Sequence, residues 1–113
     1  MAAAYKIILM NAVYEILVPT VSNAGKPFKL RYHKVWDAKV RAIAGGLTIL
    51  APAKGEWLSS TGKLYAERMI PVRIICSKQQ IEQIADITAK YYDQLAVMFY
   101  KISDTVQIKS YTK

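Results

Sequence analysis

Hydrophobic and polar positions follow two different periods along this chain, and together they predict a mixed α+β fold. Short apolar or alternating runs, the pattern of β-strands, occur at Val13–Thr20, Leu47–Ala51, Met69–Cys76 and Ala96–Ser103. Apolar residues at helical spacing occur from about Phe28 to Ala44 and from Ser77 to about Gln94. End signals agree with the helices, since glycines follow the first and a capping box begins the second.

The order of these elements is strand, helix, strand, strand, helix, strand, which is the ferredoxin-like βαββαβ pattern. We predict a four-stranded antiparallel sheet with both helices on one face, because right-handed crossovers place them on the same side. The expected division is an N-terminal arm or short strand at residues 1–12 and a single ferredoxin-like domain at residues 13–113. The segment Val106–Tyr111 either extends the last strand or pairs elsewhere.

The strand that ends at Cys76 has two chemically different faces, because side chains alternate across a strand. One face carries Ile70, Val72, Ile74 and Cys76, and the other carries Glu67, Met69, Pro71 and Arg73. The first face belongs to the core. The second lies on the side of the sheet that no helix covers, and an exposed apolar surface usually marks an interface. We therefore expect a homo-oligomer that forms through this face, with a trimer favoured over a dimer.

Composition narrows the class of partner. The chain has 113 residues, 53% of them hydrophobic, so one domain with a packed core is expected. Its net charge of +8 indicates an anionic partner, such as a nucleotide, a nucleic acid or an acidic protein. Alternatively, the charge only keeps the protein soluble. The most basic part is the first helix with the residues before it.

Several kinds of site are excluded or disfavoured by residue counts. One cysteine, Cys76, allows no internal disulfide, and one cysteine with one histidine does not make a zinc site. No metal site and no cofactor are expected.

The apolar run Ala2–Met10 is interrupted by Lys6 and is shorter than the roughly 20 residues of a membrane span, so we expect no membrane association and a cytoplasmic protein.

Most candidate ligand-binding side chains lie on the hairpin stretch that runs from Gly45 to Cys76. Arg73 could bind a phosphate or carboxylate, and Glu67 a ribose hydroxyl or an amine; alternatively, the two form a salt bridge at a subunit seam. Trp57 and Tyr65 could stack on a nucleobase or fill a subunit junction. His33 shares a helical face with apolar residues, so it is either a ligand contact or a structural residue.

The spacing of several of these residues resembles that of a family of small uncharacterised bacterial proteins with a ferredoxin-like prediction. The resemblance runs from Val18-Pro-Thr and Asn23-x-Gly-Lys-Pro-Phe28, through Gly46, Trp57, Gly62 and Glu67, to Tyr92-Asp-Gln94-x-Ala-Val97. It covers roughly residues 13–108 and implies no established activity.

A second resemblance is to the phage S-adenosylmethionine lyases, carried by Gly46-Leu47, Val72-Arg-Ile-Ile-Cys76 and Gln94-x-x-Val97 with Tyr100-Lys101. It implies a trimer that cleaves S-adenosylmethionine to methylthioadenosine and homoserine lactone between subunits. It also implies that Glu67 lies at the ligand. Gln94, which carries part of the resemblance, is a further candidate ligand-binding residue. The family's hairpin tyrosine falls on Trp57, an indole that cannot replace a phenol, so Tyr65 is the alternative catalytic hydroxyl.

Three functions follow, and the sequence alone leaves open whether the chain is an enzyme. The first is a homo-oligomer that binds a nucleotide-like anionic small molecule at subunit interfaces, which in a phage would suit a sponge that opposes host defence. The alternative is an S-adenosylmethionine lyase, with Glu67 and Tyr65 as catalytic residues. The third is nucleic-acid binding through the basic first helix, which we rank lowest because the central strands offer mainly aliphatic side chains.

Overall fold

The computed structural model describes residues 3–7 and 11–112, and within them the chain forms seven strands and two helices. In chain order the elements are β1 (Ala3–Ile7), β2 (Ala12–Pro19), α1 (Leu30–Ala44), β3 (Thr48–Ile49), β4 (Ala53–Leu58), β5 (Leu64–Cys76), α2 (Lys78–Tyr91), β6 (Phe99–Ser103) and β7 (Gln107–Tyr111). Both predicted helices and all four predicted strands are present, with ends that differ by a few residues.

The main sheet has the strand order β3-β5-β2-β6, and every pairing in it is antiparallel. Each helix connects a strand to a non-neighbouring position in this order, which is the ferredoxin-like arrangement that the sequence predicts. β7 does not extend β6. It pairs instead with β1 in a separate two-stranded ribbon.

β1 falls within the arm predicted at residues 1–12. The rest of that segment, apart from Asn11 and Ala12, lies outside the described residues. The division between an arm and a domain stays a prediction.

The core lies between the two helices and one face of the sheet. Alternate residues of β2 and β5 face it, with Trp36 and Val40 from α1 and Ile81 and Ile84 from α2 packed against them. The fully buried sheet residues are Ile16, Val18, Val72, Ile74 and Cys76. The predicted inward face of β5 is therefore confirmed, and both helices cover the same side of the sheet.

The strand that was predicted at Leu47–Ala51 is interrupted and then continues as β4. β3 pairs Ile49 with Val72, whereas β4 pairs Ala53 with Met69, so the register shifts by one residue opposite Pro71. Proline has no N–H, so Pro71 in β5 cannot donate a hydrogen bond to the neighbouring strand. Pro52, between β3 and β4, removes a second donor at the same place. The polar, glycine-containing segment between these strands is thus a long hairpin that extends the sheet.

A tight turn closes the hairpin between β4 and β5. Ser59 N–H donates to Lys63 O over 2.9 Å, and Gly62 N–H donates to Ser59 O over 3.0 Å. Gly62 has a φ of +84°, a conformation that a residue with a Cβ rarely adopts. The turn holds the ends of both strands together at the tip of the hairpin.

The two helices begin differently. Ser77 and Gln80 form the predicted capping box at the start of α2, with each side chain bonded to the other residue's backbone N–H. Lys29 precedes α1 and its side chain caps nothing, and the first turn of α1 contains no acidic residue. No helix in the described part of the chain is long and apolar enough to cross a membrane.

The molecule is elongated, with extents of 58 × 31 × 24 Å. Its radius of gyration is 16.4 Å. A compact domain of this length has a radius of about 13 Å. The long hairpin and the separate ribbon extend away from the core, and the single chain is therefore less compact than most domains of its length.

Candidate functional site

The sheet face without helices, called here the outer face, carries most of the predicted site residues. Its side chains are Val13, Glu15, Leu17 and Pro19 from β2, Tyr65, Glu67, Met69, Pro71, Arg73 and Ile75 from β5, Tyr100 from β6, and Met98 just before β6. Met98 and Tyr100 are 44% and 42% exposed in the single chain. The outer face is therefore partly apolar and open at its β6 edge.

A row of polar side chains crosses the middle of the outer face. Register places Glu15 opposite Arg73 on one side and opposite Tyr100 on the other. Arg73 Nε donates to Glu15 Oε1 over 3.1 Å, and the Tyr100 hydroxyl donates to Glu15 Oε2. These contacts leave only 7% of Glu15 exposed. Arg73 thus pairs with Glu15 and not with Glu67.

The two partners of Glu15 remain able to donate at neutral pH. The hydrogen bond to Glu15, together with partial burial, raises the pKa of the Tyr100 phenol, so this group keeps its proton. Arg73 uses only its Nε for Glu15, and within residues 11–112 its two Nη groups make no hydrogen bond. Half of its side chain is exposed. The guanidinium therefore has donors available for a further acceptor.

Trp57 and Tyr65 lie on the hairpin and face each other across β4 and β5. The indole folds back over Gly55, where an added Cβ would lie 3.4 Å from the ring. Gly55 is in turn opposite Glu67, so Trp57, Tyr65 and Glu67 share one face of the hairpin. Lys63 Nζ lies 4.9 Å from the centre of the Tyr65 ring.

A groove of about 380 Å³, called here the Glu67 groove, lies at the end of the outer face. It brings together Glu67 and Gln94, two predicted ligand residues from different elements, and its lining also includes Asn23 and Arg68. Within the described residues, the side chains of Glu67 and Arg68 have no hydrogen-bond or ion-pair partner. The lining of the groove therefore includes a carboxylate, a guanidinium and two carboxamides, with Glu67 and Arg68 on opposite faces of β5 where β2 ends.

The far wall of the groove is fixed by hydrogen bonds between two loops. Asn23 Nδ2 donates to Asp93 O over 2.8 Å, and Gln94 Nε2 donates to Tyr92 O over 3.0 Å and to Asn23 Oδ1 over 3.4 Å. Asp93 has a φ of +53°, in the left-handed region that non-glycine residues seldom occupy. These contacts set the positions of both carboxamides before any ligand binds.

His33 does not join this group. It lies on α1, on the helix side of the sheet, where its Nδ1 is 2.7 Å from the Tyr92 hydroxyl. Burial lowers the pKa of its imidazole, against a weaker opposite effect of the nearby Asp37. It lines a separate cavity of about 110 Å³ with Trp36 and Asp37.

Sequence reasoning missed four residues of the site, which are Glu15, Tyr100, Asn23 and Arg68. The available signal for Glu15 was its place in the middle of a strand, on the face opposite Tyr14 and Ile16. Its pairing with Arg73 depends on register, which the hydrophobic pattern alone does not fix.

Among residues 3–7 and 11–112 there is no cluster of three His, Cys, Asp or Glu side chains that could hold a metal ion.

Comparisons with known proteins support the fold and leave the activity open. No family model and no curated protein sequence matches the chain. A phage S-adenosylmethionine lyase, solved in complex with S-methyl-5′-thioadenosine, is similar in structure with a TM-score of 0.65 and 12% sequence identity. The similarity covers 93% of this chain and 94% of the lyase.

Divalent cation tolerance proteins of the CutA group are also similar. The protein from Thermus thermophilus gives a TM-score of 0.62 at 8% identity, and the one from Archaeoglobus fulgidus gives 0.60 at 14% identity. Each match covers 82% of both chains. At these identities the likeness establishes the ferredoxin-like fold alone.

Proposed function

We propose that this chain forms a homo-oligomer, most favourably a trimer, that binds a nucleotide-like anionic small molecule where subunits meet. The observation that carries the proposal is the Glu67 groove, which joins Glu67 and Gln94 at the end of the uncovered sheet face. A second copy that packs on the outer face closes this groove from above. The ligand is then bound between subunits.

The groups in the groove suit the parts of a nucleotide. The Arg68 guanidinium can bind a phosphate through two hydrogen bonds, and the Glu67 carboxylate accepts from ribose hydroxyls. The carboxamides of Asn23 and Gln94 can both donate to and accept from a base edge. The net charge of +8 favours an anionic ligand over a cationic one.

The outer face supports assembly. It carries the partly exposed side chains Met98 and Tyr100, and Arg73 of the polar row retains free donors. Ferredoxin-like sheets leave this side without helices, so another chain is the simplest cover for it. A cytoplasmic oligomer that holds a nucleotide without consuming it lowers the free concentration of that nucleotide, which is how a phage sponge for a nucleotide immune signal would act.

Titration calorimetry tests the ligand class. Purified protein is titrated with adenosine monophosphate, cyclic mononucleotides and cyclic dinucleotides. At least one should bind with micromolar or tighter affinity, and Glu67→Gln and Arg68→Gln should each weaken it about tenfold or more. Glu82→Gln, on the exposed side of α2, is the matched control. No heat with any of these compounds would contradict the proposal.

A second candidate is an S-adenosylmethionine lyase, which the structural likeness to the phage lyase favours. For this function, the Glu67 carboxylate holds the cationic substrate. Tyr65, two residues earlier in β5, has its side chain on the same face of the strand and supplies the hydroxyl. The reaction would give S-methyl-5′-thioadenosine and homoserine lactone. Incubation with S-adenosylmethionine, followed by chromatography for the thioether product, decides between binding and turnover. Glu67→Gln should abolish any product that wild type forms.

A further inference from the structure

A third cavity, of about 500 Å³, lies between the loop before α1, the start of α1 and the end of α2. We call it the aromatic pocket. Its walls are the rings of Phe28, Tyr32 and Tyr91, and its rim carries Lys26, Lys29 and Arg31. It shares only Ser22 with the lining of the Glu67 groove. Among the described residues, no acidic side chain lines it.

The aromatic wall is an ordered stack. The Tyr32 ring lies between the other two, with centroid distances of 4.3 Å to Tyr91 and 5.0 Å to Phe28 and nearly parallel planes in both pairs. The two tyrosines also lock each other in place, because each hydroxyl donates to the backbone carbonyl of the other. A planar ligand therefore meets a surface that is formed in advance.

The cations around the pocket are not used by the fold. The ion pairs of the described residues lie elsewhere, at Lys54–Glu56, Arg73–Glu15 and Lys101–Asp104. Lys26, Lys29 and Arg31 have no side-chain partner within residues 11–112. Cations without such partners lie here beside partly buried aromatic rings. This combination is complementary to a ligand that carries both negative charge and flat rings.

Positive charge continues along α1 beyond the pocket. Lys39 lies on the same helix face as Arg31, two turns or about 12 Å further on, and its Nζ is 5.8 Å from the centre of the Tyr91 ring. Lys34 and Arg41 flank this line, against the single acid Asp37. A free nucleotide cannot neutralise charges spread over this distance, whereas a chain of phosphates can.

We propose that the aromatic pocket and the basic side of α1 bind single-stranded nucleic acid. An unpaired base enters the pocket and packs against the outside of the Phe28–Tyr32–Tyr91 stack, and the phosphates on either side contact Lys26, Lys29, Arg31 and Lys39. The strand must be single, because a base in a duplex is not free to stack on protein. This site lies on the helix side of the molecule, and it stands whether or not the Glu67 groove binds a ligand.

Fluorescence anisotropy with a labelled single-stranded oligonucleotide, long enough to span the pocket and α1, measures the affinity at several salt concentrations. Binding should weaken steeply with salt. In the triple variant Lys26→Gln, Lys29→Gln, Arg31→Gln, affinity at low salt should fall at least about tenfold and the log–log salt slope should decrease by about two. The control triple Lys54→Gln, Lys63→Gln, Lys78→Gln removes the same net charge from exposed positions elsewhere. It should change affinity by less than about threefold.

The role of the aromatic wall needs its own variant. Phe28→Leu keeps an apolar side chain there but removes a stacking surface, so single-strand affinity should fall about fivefold to tenfold with little change in the salt slope. Circular dichroism and the melting temperature confirm that each variant is folded. The proposal is overturned if a duplex of the same sequence binds as tightly as the single strand, or if both triple variants lose affinity equally. It is also overturned if adenosine monophosphate competes as strongly as the oligonucleotide, since the site would then hold a single nucleotide.

Discussion

Glu15 and Arg73 lie opposite each other on β2 and β5, and Arg73 Nε donates to Glu15 Oε1 over 3.1 Å on the face of the sheet that no helix covers. The carboxylate is almost fully buried, with this contact on one side and Tyr100 on the other. Buried carboxylates are stable only when they are paired and hydrogen-bonded. The stability of the uncovered face should therefore depend on Arg73.

Arg73→Ala tests this dependence. It leaves Glu15 with one donor in place of two, and we expect the free energy of unfolding to fall by about 2 kcal/mol, less than for a fully buried pair because Arg73 is half exposed. Urea unfolding at fixed protein concentration gives the value. Arg68→Ala, from the same strand and without a partner among the described residues, should cost less than about 0.5 kcal/mol. Equal losses for the two variants would contradict the assigned role of the Glu15 pair.

A buried hydrogen-bond chain joins the two helices. Trp36 Nε1 donates to Thr88 Oγ1 over 2.9 Å, and the Thr88 hydroxyl donates to Ile84 O over 2.6 Å. Thr88→Val keeps the shape but leaves the indole N–H without an acceptor, so we expect a loss of about 1–2 kcal/mol. Thermal unfolding gives the value, and the same change at exposed Thr48 should alter stability by less than about 0.5 kcal/mol. If Thr88→Val left the stability unchanged, these hydrogen bonds would contribute little to the free energy of unfolding.

Stability should decrease as the pH falls from neutral through the titration range of His33. Burial lowers the pKa of this imidazole in the folded state below its unfolded value of about 6.5. The unfolded chain therefore takes up a proton first as the pH falls, and protonation favours unfolding. Burial raises the pKa of Asp37, which has the opposite effect but at lower pH. His33→Gln should flatten the dependence of chemical denaturation midpoints on pH across this window. An unchanged slope would show that other groups cause it.

Cys76 should be inert in the folded protein. Its side chain is fully buried on the inward face of β5, and burial raises the pKa of its thiol to about 11. Since the thiolate is the reactive form, Ellman's reagent at mildly alkaline pH should modify the native protein at least about 100-fold more slowly than the protein in guanidinium chloride. One cysteine in the chain makes the readout specific to this position. A fast native reaction would place Cys76 outside the core.

The core-facing side of the sheet and the helices could be predicted from the sequence, because buried positions show as a regular spacing of apolar residues. Ile70, Val72 and Ile74 alternate with residues of the other face, and this period alone assigns the strand and its core face. The capping box of α2 is similarly local, since Ser77 and Gln80 satisfy backbone groups three residues apart. Each of these features depends on contacts between neighbours in sequence or on a simple period.

The outer half could not be read in the same way. β4 has no apolar alternation, and all its residues except Gly55 are exposed, so nothing distinguishes it from a polar loop before its pairing with β5 is known. The partner of Arg73 is 58 residues away, and the Glu67 groove combines segments from three parts of the chain. The sequence pointed to Glu67 and Gln94, but their neighbours Asn23 and Arg68 became visible only in the fold.

The central claim is that copies of the chain cover the outer face for one another, and light scattering coupled to size-exclusion chromatography tests it most directly. Wild type at micromolar concentration should elute as a species of about 38 kDa, three copies of the 12.7 kDa chain. Met98→Lys, which places a charge on the outer face, should shift the protein towards monomer, whereas Leu30→Lys on the exposed side of α1 should leave the mass unchanged. A wild-type protein that remains a 12.7 kDa monomer, with both variants behaving identically, would contradict the account.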